Sequence, residues 1–153
     1  LKYGRPDMAD GEMEQAARIA QAEDFITAKP DGYEAEIAQG GTNVSGGQKQ
    51  RLAIARALAV KPEVYVFDDS FSALDYQTDA ALRRALKEET AGATLIIVAQ
   101  RIGTIMDAEQ ILVLDEGTLA GVGTHDELLK TCETYREINR VQTPQSQGKE
   151  VQA

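Results

Sequence analysis

Between the paired glycines Gly40-Gly41 and the stop at Lys61-Pro62 lies a segment built to start a helix and to leave its first turn open. Ser45 and Gln48 stand at the spacing of a capping box, in which each side chain bonds the other residue's backbone N–H. Gly46 and Gly47 fall in the first turn, where backbone N–H groups lack intrahelical acceptors and the helix dipole is positive. Glycine lets an anion approach that backbone closely, and the Ser45 hydroxyl adds a donor, so this helix end suits a terminal phosphate. The helix runs to about Val60, with Leu52, Ala55, Leu58 and Ala59 on one face. A short apolar run, Val64-Tyr65-Val66-Phe67, follows and closes on Asp68-Asp69. Such a run predicts a strand buried on both faces of a parallel sheet. A carboxylate at the carboxyl end of that strand sits where α/β sheets bind ligands, and Asp68 there suits Mg²⁺, held directly or through water.

The remaining elements alternate in the same way. Asp10 is expected to cap a helix through Met13, Ala17, Ala20 and Phe25, ended by Lys29-Pro30-Asp31-Gly32. A charged helix is expected over Thr78–Glu89, with Arg83, Arg84, Lys87, Glu88 and Glu89 as a solvated face, and a second buried strand over Thr94–Ala99. Ile111–Leu114 and Thr118–Val122, joined at Asp115-Glu116-Gly117, predict a β-hairpin. Thr124 and Glu127 form another capping box and open a last helix to about Val141, before a polar tail over 142–153 that is expected to be disordered. Strands alternating with helices give an α/β fold with parallel strands, ending in a hairpin plus helix.

Composition narrows the function. A net charge of −9 argues against a surface for nucleic acid, which would carry a basic stripe. The one cysteine, Cys132, permits no internal disulfide, and one cysteine with one histidine, His125, gives no zinc ligand set. His125 lies inside the second capping box and reads as first-turn structure. No apolar run approaches the ~20 residues of a membrane span.

The motif Asn43-Val44-Ser45-Gly46-Gly47-Gln48-Lys49-Gln50-Arg51, with Asp68-Asp69 and Ser72-Ala73-Leu74-Asp75 behind it, resembles the nucleotide-binding domain of ATP-binding cassette (ABC) exporters. The resemblance implies a partial P-loop NTPase domain over residues 1–141 that works with ATP and Mg²⁺. It makes Ser45, Gly46, Gly47 and Gln48 the signature motif, which completes the ATP site of an opposite subunit. It makes Asp68 the Walker B carboxylate for Mg²⁺, and Ser72, Ala73, Leu74 and Asp75 the D-loop. Only Val44 departs from the usual signature, where leucine is commoner.

Two other departures bear on catalysis. Asp69 stands where active members carry the glutamate that orients or deprotonates the attacking water; it is one methylene shorter and a poor general base. Gln100, in Val98-Ala99-Gln100-Arg101, stands where exporters carry the switch histidine. It can donate a hydrogen bond but cannot carry positive charge or shuttle a proton. Together they resemble the degenerate subunit of heterodimeric ABC exporters. That likeness implies a partner subunit with a competent catalytic site, membrane-spanning domains encoded upstream, and a place at the cytoplasmic face of the membrane. In Glu36–Gly41, where exporters sense those domains, the usual Gly-Glu pair is Ala38-Gln39.

No G-x-x-x-x-G-K-[ST] loop occurs, so the chain is expected to be the second half of such a domain and, alone, marginally stable or oligomeric through exposed apolar strand edges. A soluble ABC-type ATPase and a truncated, non-catalytic interaction module remain open as alternatives. Against the former stand the acidic charge balance and the hairpin-and-capped-helix ending over Gln110–Leu129, which looks like transporter domains.

Overall fold

A computed structural model describes residues 1–143, in two compact units that divide after Ala99. The first unit holds α1 (Asp10–Ile19), α2 (Glu23–Thr27), α3 (Gly46–Val60), β1 (Val64–Asp68), α4 (Tyr76–Glu89) and β2 (Thr94–Val98). β1 and β2 pair in parallel, with Val64 opposite Thr94 and Asp68 opposite Val98. The α4 crossover supplies the length that a parallel connection needs.

The core of this unit lies on one face of the strand pair. Tyr65 and Phe67 point into it from β1, stacked at 5.9 Å between ring centroids, and Phe71 meets Phe67 edge-on at 5.7 Å. Ala16 and Ala17 of α1, Ile54 and Leu58 of α3, and Leu82 and Leu86 of α4 close around them. Fully burying one such leucine or isoleucine contributes roughly 1.5–3 kcal/mol. The opposite face is bare: Val64 and Val66 are 51% and 63% exposed, and Ile96 and Val98 also face solvent. The expectation of strands covered on both faces is therefore corrected for β1 and β2. A continuous apolar run marks residues that can be covered on both sides, but the helices of this unit pack on one side only.

Local expectations fare unevenly. Ala9, not Asp10, is the N-cap of α1, and Asp10 instead pairs with Lys2 Nζ at 2.6 Å. The single helix expected through Phe25 breaks at Gln21, which takes φ +55°. The 78–89 helix begins earlier, at Tyr76, because the Asp75 carboxylate caps it from outside. Its charged residues do not make a wholly solvated face: Asp79 is buried, held by Arg83 Nε at 3.1 Å.

An ion-pair cluster joins the N-terminal segment to two helices. Arg5 pairs with Glu12 of α1 and donates to the Ala59 carbonyl at the end of α3, while Lys61 reaches Glu12 at 3.4 Å. The Arg5 hydrogen bond is the main cause that lowers the Glu12 carboxyl from its ordinary 4.5 to about 2. A depressed carboxylate stabilises the fold above its unfolded pKa, and that contribution is lost as pH falls from about 4.5 towards 2. Glu12→Gln is thus expected to lower the denaturation midpoint at pH 7, by an amount that shrinks as the pH is taken from about 4.5 down to 2. Chemical denaturation of both chains across that range measures the convergence.

The second unit holds α5 (Ile102–Ile105), β3 (Ile111–Asp115), β4 (Thr118–Gly123), α6 (His125–Thr131) and α7 (Glu133–Gln142). β3 and β4 form the expected hairpin, with Glu116 and Gly117 both at positive φ, as a two-residue primed turn requires. Thr124 and Glu127 make the expected capping box. The last helix is not continuous: Cys132 takes an extended conformation between α6 and α7 and is buried with Leu128 and Tyr135. The helical region also runs through Gln142, one residue into the stretch read as tail; residues 144–153 of that tail lie outside the described residues. Among the described residues no helix is long and apolar enough to cross a membrane.

Candidate nucleotide site

The open helix end forms as its residues dictate. Ser45 Oγ accepts from Gln48 N at 3.2 Å, and Gln48 Oε1 accepts from Ser45 N at 3.0 Å. The Ser45 hydroxyl hydrogen is left to donate outward, and the N–H groups of Gly46 and Gly47 lead the helix with the positive end of its dipole. Gln48 is folded back on its own cap through its oxygen, so only its Nε2 remains to meet a ligand.

Gly47 serves packing as well as approach. A Cβ there would lie 2.9 Å from the Ala73 carbonyl oxygen, so the backbone after β1 passes against the first turn of α3. Arg51, at the end of the same motif, faces inward: its guanidinium lies 4.8 Å from the Phe25 ring centroid and donates to the Gln21 carbonyl at 2.6 Å. It bonds the break between α1 and α2 to α3.

At the end of β1, Asp68 and Asp69 are both exposed, and neither carboxylate has a protein partner among the described residues. Asp69 takes φ +49°, a left-handed conformation that short polar side chains tolerate best, and donates its N–H to Val98 O at 3.1 Å. Unpaired carboxylates at the carboxyl edge of a parallel strand pair fit a hydrated divalent cation, and the open helix end fits a phosphate oxygen. No cluster of three or more metal-ligating side chains occurs among the described residues. Of Ser72, Ala73, Leu74 and Asp75, which the resemblance makes the D-loop, Leu74 is buried as an anchor, while Asp75 accepts from Thr78 N at 2.9 Å and Thr78 Oγ1 at 2.7 Å. Those bonds hold the Asp75 carboxyl below its ordinary range, the backbone N–H of Thr78 foremost.

Gln100 opens the second unit and is exposed, two positions past the end of β2. Gln142, absent from the sequence-level site, braces its backbone: Gln142 Nε2 donates to Gln100 O at 2.7 Å, and its Oε1 accepts from Ile102 N at 2.8 Å. His125 Nδ1 bonds the Tyr135 hydroxyl at 2.8 Å, a structural pairing.

A Ser-capped glycine-rich helix end, an acidic strand terminus and a parallel strand pair with an α-helical crossover define part of a nucleotide-triphosphate-binding α/β domain. Comparison with known proteins says which. A family profile described as ABC transporter matches residues 6–72. An uncharacterised ABC transporter ATP-binding protein of Mycobacterium tuberculosis is 48% identical over 141 residues, covering 90% of this chain and 24% of that protein. The mitochondrial potassium channel ATP-binding subunit of Mus musculus is 43% identical over 143 residues, 94% of this chain and 20% of that protein. The solved structure of a bacterial Atm1-family ABC exporter with ATP bound superposes with a TM-score of 0.89 at 39% identity, over 93% of this chain and 25% of that one. The chain belongs to the ABC transporter ATP-binding family and has the fold of part of its ATPase domain. It spans about a quarter or less of the length of these relatives.

Proposed function

We propose that this chain is part of the ATP-binding domain of a heterodimeric ABC exporter whose own nucleotide site is degenerate. Its signature motif would complete the competent site of the partner subunit at the cytoplasmic face of a membrane. The observation that carries the reading is the contrast within one unit: the Ser45 helix end is fully formed, while the residue beside the Asp68 carboxylate is the short Asp69. Gln100, which cannot take a proton from water at neutral pH, supports it. The exporter assignment draws on the likeness to the Atm1-family exporter.

In this reading Ser45, Gly46 and the free Nε2 of Gln48 grip the terminal phosphate of ATP held by the partner. Asp68 would hold Mg²⁺, directly or through water, in its own subunit's site. Magnesium supplies charge neutralisation for the phosphates when bound. Asp69 reaches the attacking water from about 1 Å further back than a glutamate would, a displacement that can cost ~100-fold in rate. This subunit's site would then hold ATP for much longer than the partner's.

The test is nucleotide retention by the full-length transporter pair. After a chase with unlabelled ATP, one labelled ATP per heterodimer is expected to remain unhydrolysed while the other site turns over. Two equivalent sites releasing ADP at one rate would overturn the degenerate reading.

A further inference from the structure

Gln50 has no part in capping α3 and none in the phosphate-facing first turn, yet its amide uses both ends on one distant loop. Nε2 donates to the Asp69 carbonyl at 3.1 Å and to Ser72 Oγ at 2.9 Å, and Oε1 accepts from the Ala73 N–H at 2.9 Å. Ser72 Oγ in turn donates to the Asp69 carbonyl at 3.0 Å. The loop so held begins at a residue with positive φ and passes within packing distance of Gly47, one turn before Gln50. Positive φ at a non-glycine residue persists only when the surroundings over-determine it, and three bonds from one side chain do so.

We propose that Gln50 is a positioning residue that fastens the Asp69–Ala73 loop to the signature helix, so that the acidic strand end and the phosphate-facing helix end move as one body. The inference rests on the ATPase reading above. In that reading Asp69 belongs to this subunit's site and Ser45 to the partner's, so one amide sets the geometry of a group in each. No single-ended side chain can replace it: an acceptor is needed for Ala73 and a donor for Asp69 and Ser72.

The experiment compares Gln50→Leu, Gln50→Glu and Ser72→Ala in the full-length transporter, with kcat normalised to the fraction that binds ATP. Gln50→Leu is expected to lower kcat ~10-fold or more with KM within about twofold, since misplacing a positioned group by a fraction of an ångström acts on the transition state. Adding Ser72→Ala to it should cost little more, because both act through the same loop. Hydrogen exchange gives a second readout. The Ala73 amide should exchange faster in Gln50→Leu but stay protected in Gln50→Glu, which keeps the acceptor and loses the donor. Unchanged kcat in Gln50→Leu, or an Ala73 amide equally protected in all variants, would overturn the proposal. If the wild-type transporter hydrolyses no ATP, the ATPase reading fails, and Ala73 exchange still decides whether Gln50 holds the loop.

Discussion

Ser45→Arg in the full-length pair is expected to reduce ATP turnover by at least ~100-fold, the scale on which losing one preorganised donor to a developing phosphate charge acts. Arginine removes the hydroxyl, loses the bond that Ser45 Oγ accepts from Gln48 N in the first turn, and fills the space before Gly46. Losing the cap alone costs about 1 kcal/mol, so a companion variant separates folding from function. Ser45→Asp keeps an N-cap acceptor but sets a carboxylate against the phosphate. It should leave thermal stability unchanged and still abolish most turnover. Full turnover in Ser45→Asp would mean that this helix end faces no phosphate during the cycle.

The reverse experiment should restore activity. Asp69→Glu with Gln100→His is expected to raise turnover at this subunit's site by up to ~100-fold, measured with the partner's catalytic carboxylate removed so that its site is silent. The longer side chain brings a carboxylate to the attacking water. The imidazole adds a group that can donate, accept and carry charge, so the restored rate should titrate near pH 6.5, where glutamine gives no such inflection. The gain is bounded by backbone: Asp69 sits at φ +49°, which short polar side chains accept more readily than glutamate. A double variant as slow as the parent would place the limit in residues other than Asp69 and Gln100.

Both experiments concern residues that the sequence singled out, and the reason is local. Capping boxes depend on side chains three positions apart, so Ser45 with Gln48 and Thr124 with Glu127 could be assigned before any fold was known. The Glu116-Gly117 turn and the β1 run closing on Asp68 are of the same kind. Asp10 shows where local rules give out. It has the chemistry of a cap, but Lys2, eight residues away, claims its carboxylate and the helix starts one residue earlier. The break at Cys132 is another such case, since nothing within α6 or α7 announces it; Cys132 is buried beside Leu128 and Tyr135.

What the sequence by itself determined is therefore the starts of the four strands and of the capped helices α3 and α6, the open phosphate-type helix end, and the pairing of an acidic strand terminus with a shortened carboxylate. Tertiary structure alone decided that β1 buries Tyr65 and Phe67 while Val64 and Val66 stay bare, that Gly47 lies against Ala73, and that Gln50 and Gln142 clamp backbone 19 to 42 residues away. The physical reason is the range of the forces. Capping and turn geometry are settled between neighbours along the chain. Which face is covered, and which carbonyl a glutamine amide can reach, is settled only when packing brings distant segments within hydrogen-bonding distance.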